Sequence, residues 1–227
     1  MKSIISFDET LRLDSHLNIH EEMLPYIGPN YIKKKTLIIS ESHYVPENVC
    51  VPTDDEWYRP KDVSEIVEMV EWNTHTRGIY EKVFDKGSHP LFYNIKNALN
   101  DANSAMKMED LAWYNFYQKP ASNKVSIQPT PFDQETAKRV FEHILQTIQP
   151  ELIIFASKKA FDSIYSDIKL DEVKGMFKYR DFKSEINFVP HPNSAWWNRF
   201  SSTYYDFKNK TERTGRQKFI DLIEMKS

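Results

Sequence analysis

The chain has 227 residues, 40% of them apolar and 14% aromatic, with 30 basic side chains against 33 acidic ones. That composition fills a sizeable core and excludes a disordered chain. A single cysteine, Cys50, excludes a disulfide framework, a cysteine-ligated iron–sulfur cluster and a zinc ribbon, and a net charge of −3 supplies no global field that draws the protein onto nucleic acid or a membrane.

The length predicts one large domain over residues 1–227. Met1-Lys2-Ser3-Ile4-Ile5-Ser6-Phe7 meets Asp8 and Glu9 before a signal-peptide core has formed. No apolar run approaches the ~18 residues of a membrane span. A cytoplasmic protein with no membrane partner is expected, and nothing demands more than a monomer.

In chain order, Thr36-Leu37-Ile38-Ile39 follows three lysines and reads as a buried strand. Residues 48–62 are rich in Asn, Pro, Asp and Glu and read as a long loop. Residues 62–72 place Val63, Ile66, Val67 and Val70 on one helical face, and Leu91, Ile95, Ala98 and Leu99 do so farther on. A short strand is expected near Leu111–Trp113, then a second long loop over 118–132, with three prolines. Asp133 is positioned to cap a long helix whose inner face is Ala137, Val140, Phe141, Ile144, Leu145 and Ile148. Strands at Leu152–Phe155 and Ile186–Val189 follow, and a last helix spans 214–225. Strands alternating with helices predict an α/β fold.

Charge is uneven. Residues 1–157 hold 16 basic and 23 acidic side chains, and residues 158–227 hold 14 and 10. In the last third the basic residues interleave with Phe177, Tyr179, Trp196, Trp197, Tyr204 and Tyr205. This mixing suits a surface that meets phosphates and stacks on bases; the alternative is an ordinary solvated face over a core.

In open α/β sheets, ligands gather beyond the carboxyl ends of the strands. There the sequence places Ser40-Glu41-Ser42-His43-Tyr44, then Tyr114-Asn115-Phe116, then Ala156-Ser157-Lys158-Lys159-Ala160, then Pro190-His191-Pro192-Asn193-Ser194-Ala195-Trp196-Trp197. Each signal alone is weak, since a lone Glu or Asn is usually a cap or a turn. An acid, an amide and a histidine fixed between two prolines, all at one sheet edge, form a candidate site.

These segments, in this order, resemble the uracil-DNA glycosylase superfamily. Ser40-Glu41-Ser42-His43-Tyr44 is similar to the family's first motif, written GEAPG or GQDPYH, and Glu47-Asn48 to the acidic pair that follows it. Pro90-Leu91-Phe92-Tyr93-Asn94-Ile95 is similar to the start of the helix closing the base pocket, and Trp113-Tyr114-Asn115 to the segment with the base-reading asparagine. Pro150-Glu151-Leu152-Ile153-Ile154-Phe155-Ala156-Ser157-Lys158-Lys159-Ala160-Phe161 resembles the strand-to-helix stretch, and His191-Pro192-Asn193-Ser194 the closing HPS motif. The resemblance covers about residues 36–200.

It implies a three-layer α/β/α sandwich on a central, mainly parallel four-stranded sheet, with residues 49–88 as an enlarged insertion. It implies a monofunctional DNA glycosylase with DNA as partner, no cofactor and no metal. Glu41 would position water and stabilise the sugar cation, and His191 would donate to the leaving base. Asn115 would read the base edge, Phe92 would stack on it, with Tyr93 as fallback, and Tyr44 would crowd out a thymine methyl. Ser42 and His43 would add base contacts. Ser157, Lys158, Asn193, Ser194 and Arg199 would meet the DNA, with Trp196 or Trp197 wedged into the gap and one of the two indoles in the core. Ser40 and Ser157 stand where the family has glycine, and Ser42 where one branch has its catalytic Asp. A non-catalytic nucleic-acid or nucleotide binding module is the main alternative, and an unrelated α/β enzyme acting on a small nucleotide is a third.

Overall fold

The computed structural model describes residues 2–45, 50–59, 75–83, 89–122, 125–206 and 211–226. The predicted helix over 62–72, and with it residues 60–74 and 84–88 of the expected insertion, lies outside the described residues.

Four strands pair in parallel at the centre of the sheet, the first three with apolar residues on both faces: β2 (Thr36–Ser40), β4 (Leu111–Asn115), β6 (Leu152–Phe155) and β9 (Glu185–Phe188). Their order is β4-β2-β6-β9. The sheet is wider than the expected four strands. β1 (Tyr26–Ile27) adds antiparallel to β4, and a hairpin of β7 (Ile168–Asp171) and β8 (Met176–Tyr179) adds beyond β9, giving seven strands. The sequence hid these edges for a physical reason. β1 is two residues long, and β7 carries charges on a largely solvated strand, so neither shows a buried apolar run.

Alternation along the central strands feeds two separate cores. Leu37, Ile39, Ala112, Tyr114, Ile153 and Phe155 face one, beneath the helix Pro131–Ile148. Ile38, Leu111, Trp113, Leu152 and Ile154 face the other, beneath the helices Pro90–Asp101 and Gly215–Glu224. The molecule is therefore a mixed α/β fold with a mostly parallel sheet and helices on both faces.

Local chemistry adjusts several element ends. Thr130, not Asp133, caps the long helix: its Oγ accepts from the Asp133 N–H at 3.2 Å, while the Asp133 carboxylate accepts from the Thr130 N–H at 2.8 Å. Asp133 is thus the inner half of a capping box. Thr214 caps the last helix in the same way. The loop over 48–62 contains the helix Asp54–Tyr58, capped by Thr53 and Glu56. The loop over 118–132 contains β5 (Ala121–Ser122), which pairs in parallel with β3 (Tyr44–Val45).

Gly215 starts the last helix at a close approach. A Cβ there would overlap Cγ and Cδ of Pro190 and stand 3.2 Å from the Trp196 carbonyl oxygen. The absent side chain lets the loop after β9 rest directly on the helix. Among the described residues, no helix is long and apolar enough to cross a membrane.

Candidate active site at the carboxyl edge of the sheet

Register brings the candidate residues to one edge. Ser40 and Asn115 end adjacent parallel strands as direct partners, so Glu41 emerges beside Asn115. Backbone bonds then zip the two following loops together: Phe116 N–H to Ser40 O at 3.0 Å, Tyr117 N–H to Glu41 O at 2.9 Å and Ala121 N–H to His43 O at 2.8 Å. Ser40 is buried and accepts from the Trp113 indole N–H at 2.8 Å. Neither Ser40 nor Ser157 has a positive φ, so neither position requires glycine.

Glu41 is held by two hydroxyls from two other loops. Ser157 Oγ donates to one carboxylate oxygen at 3.0 Å, and Ser126 Oγ donates to the other. Ser157 also caps the short helix Lys158–Asp162, accepting from the Ala160 N–H at 3.2 Å. Because that contact uses an Oγ lone pair, its one proton is committed to Glu41. Ser157 is only 3% exposed, which corrects its expected role as a DNA contact. Ser157→Ala removes the cap and is expected to cost about 0.5–2 kcal/mol of stability; urea unfolding measures it, with Ser157→Thr restoring most of the loss.

His191 sits in the loop after β9. The Asn193 N–H donates to its Nδ1 at 3.2 Å, which leaves the neutral ring's proton on Nε2. Burial holds the imidazole below its ordinary pKa of 6.5; nearby Glu41 opposes the shift and His89 adds to it. At pH 7 the ring is neutral, with an N–H at Nε2. The loop is tied to the neighbouring helix by Asn94, whose Nδ2 donates to the Pro192 carbonyl at 2.8 Å. The Asn115 carboxamide has no hydrogen-bond partner among the described residues, while its backbone carbonyl accepts from Gln118 at 2.6 Å. Tyr44 is partly exposed beside Glu41, whose charge and the ring's burial both raise the phenol pKa.

Several expected contacts are placed otherwise. Phe92 is a core residue, packed against Tyr80, His89 and Trp113 with ring centroids 4.5, 5.0 and 5.4 Å away. At 6% exposure it is part of the core, which corrects its reading as a stacking platform. His43 is buried with Nε2 hydrogen-bonded to Thr76 Oγ at 2.9 Å, so it is a structural residue and not an exposed base contact. Trp197 is 1% exposed and packs on Phe219, which removes it from the DNA surface. Ser42 and Ser194 carry buried hydroxyls without hydrogen-bond partners among the described residues. Trp196, Asn193 and Arg199 are exposed. Lys158 is exposed and paired with Asp162 at 2.5 Å.

Part of the basic–aromatic interleaving belongs to the fold. Tyr179 is buried, and Arg180 pairs with Glu142 at 2.5 Å and Asp167 at 3.0 Å. Ser126 and His89 escaped the sequence reading. Ser126 reaches Glu41 across 85 positions from a proline-rich loop, and no local signal marks it. His89 is visible only as the residue ahead of Pro90 at the start of a helix.

Two surface depressions are present, the first adjoining this edge through Tyr117 and Lys158. One of about 600 Å³ is lined by Lys138, Lys158 and Lys159, and each lysine already has a protein partner. The other, of about 300 Å³, lies between His16, Arg59 and Arg139. The first has no histidine in its lining, and the second, which holds His16 and Glu135, does not lie at the carboxyl ends of the central strands. Among the described residues, no group of three His, Cys, Asp or Glu is placed to hold a metal ion.

No family model matches the chain, and no curated protein matches it.

Proposed function

We propose that the protein is a monofunctional DNA glycosylase that hydrolyses the N-glycosidic bond of uracil or of a modified or damaged base, leaving an abasic site. The observation that carries this reading is the pairing of Glu41, held by two hydroxyls, with a neutral His191 whose ring proton is on Nε2. Four central parallel strands with helices on both faces support a uracil-DNA glycosylase-like sandwich.

Breaking the bond leaves the electron pair on the base and positive charge on the sugar. Both charges need stabilisation at once. His191 Nε2–H donates to the base oxygen where negative charge accumulates, and the Glu41 carboxylate faces the cationic sugar and orients the water that adds to C1′. The water supplies hydroxyl to the sugar, and its proton neutralises the departing base or passes to solvent. The Asn115 carboxamide offers an acceptor and a donor pair, matching adjacent N–H and C=O groups of a pyrimidine edge.

The test uses end-labelled oligonucleotides carrying a single uracil, hypoxanthine or hydroxymethylcytosine, incubated with protein and treated with hot alkali to break abasic sites. Cleavage at one base, lost in His191→Ala and Asn115→Ala, supports the reading. No cleavage with any base would sink it; DNA retention in a gel shift would then favour a binding module.

The same site predicts a pH dependence. Protonating His191 places a second proton on Nδ1, opposite the Asn193 N–H, and breaks the bond that orients the ring. Its folded pKa lies below the ordinary 6.5. Between the two values the unfolded chain binds more protons than the native one, so stability rises with pH there. Base release is expected to hold steady above about pH 6.5 and to fall below it. A kcat/KM profile alongside an NMR titration of the His191 ring checks this, and the two should report the same midpoint.

A further inference from the structure

Exposed aromatic side chains are concentrated around the candidate site. Among the described residues, Tyr44 is 37% exposed, Tyr93 54%, Trp196 54% and Phe200 61%, and Tyr165 is the remaining large exposed ring. The first four lie on segments tied to Glu41 or to the His191 loop, Phe200 by pairing with Thr214, next to the Gly215 that meets Pro190. Tyr44 senses the Glu41 charge. Tyr93 precedes Asn94, which is bonded to Pro192. Trp196 and Phe200 lie in the loop after His191 and at the start of β10 (Phe200–Asp206). Tyr165 lies apart, next to Phe161 and Phe177.

Leaving an indole and a phenyl ring in water at neighbouring positions forgoes burial that the fold gives to Trp197 next door. The rings are presented from an anchored frame. The backbone at Trp196 rests against Gly215, and the Trp197 N–H bonds to the Ser194 carbonyl at 3.1 Å. Arg199 lies between the two rings in sequence, is exposed and has no ion pair among the described residues. The chain from residue 158 onward is net basic, in contrast to the acidic remainder.

Resting on the glycosylase reading and extending it to the form of the substrate, we propose that Tyr93, Trp196 and Phe200, with Arg199, form a stacking surface that binds single-stranded DNA along the rim of the site. Every base has a face to stack, and a ring platform beside an exposed guanidinium suits a strand whose bases are already unstacked. A duplex keeps those faces within its own stack, so it gains less from three exposed rings.

The test is a binding titration of the full chain with fluorescein-labelled oligothymidylate and with a duplex of the same length, neither carrying a modified base. Single-stranded DNA is expected to bind more tightly than the duplex. Trp196→Ala and Phe200→Ser are each expected to weaken single-strand binding by about 5- to 150-fold, with melting temperatures unchanged because both side chains are exposed. Arg199→Gln is expected to reduce the salt dependence. Duplex binding as tight as single-strand binding, or single-strand affinity unchanged in both aromatic variants, overturns the proposal. Because this titration needs no base release, its result stands apart from the alkali-cleavage assay: a protein that binds but does not cleave keeps the stacking surface and loses the glycosylase reading.

Discussion

His191→Ala is expected to slow base release by about 100- to 1,000-fold, the usual loss for one aligned donor to a developing anion, while DNA affinity stays within a factor of about three. The asymmetry follows from where the ring acts. Nε2–H meets charge that appears only as the bond breaks, so ground-state binding owes it little. Single-turnover kinetics with saturating enzyme isolates the chemical step, and a gel shift reads affinity. His191→Asn is the sharper companion, since a carboxamide keeps a donor but lacks the tautomer fixed by the Asn193 N–H. It should recover part of the rate. Equal loss of rate and binding in both variants would assign His191 to loop structure instead.

Glu41→Gln is expected to reduce the same rate by about 100- to 10,000-fold, the span typical of a positioned acid–base group. The substitution keeps the shape and removes the charge that faces the sugar cation. It also disturbs the clamp. A carboxylate accepts from both Ser126 and Ser157, whereas a glutamine amide offers one acceptor oxygen and one donor nitrogen. One serine hydroxyl must therefore turn away, and Ser157 is the more constrained because it also caps a helix. Comparing Glu41→Gln with Ser126→Ala separates the two effects. The serine variant keeps the charge and loosens only its position, so its rate should fall far less. If both variants match wild type, Glu41 has no part in the chemistry.

The central strands were legible because burial on both faces writes a continuous apolar run, as in Leu152-Ile153-Ile154-Phe155. The site was legible only as positions after those strands, which located Glu41, Asn115 and His191 but said little about their partners. Ser157 illustrates the gap. The family resemblance implied a DNA contact there, yet the side chain turns inward, donating to Glu41 and accepting from the Ala160 N–H. Phe92 errs in the same direction: the resemblance implied an accessible ring, but it packs beside Tyr80 and Trp113 in the core. The β7–β8 hairpin was hidden because a solvated edge strand lacks the apolar run that marks a central one. Long-range pairings such as Glu41 with Ser126 leave no trace in local pattern at all.

The missing side chain at Gly215 makes the end of the chain part of the foundation of the site. Pro190 immediately precedes His191 and rests where a Cβ would otherwise stand. Even one methyl group there would have to push the proline, and the imidazole after it, off the sheet edge. The helix from Gly215 to Glu224 seals one core with Phe219, Leu222 and Ile223 while serving as the floor beneath the histidine loop. Shortening the chain ahead of residue 215 would therefore leave all the proposed catalytic side chains in place in sequence while removing the support that holds one of them in register with the others.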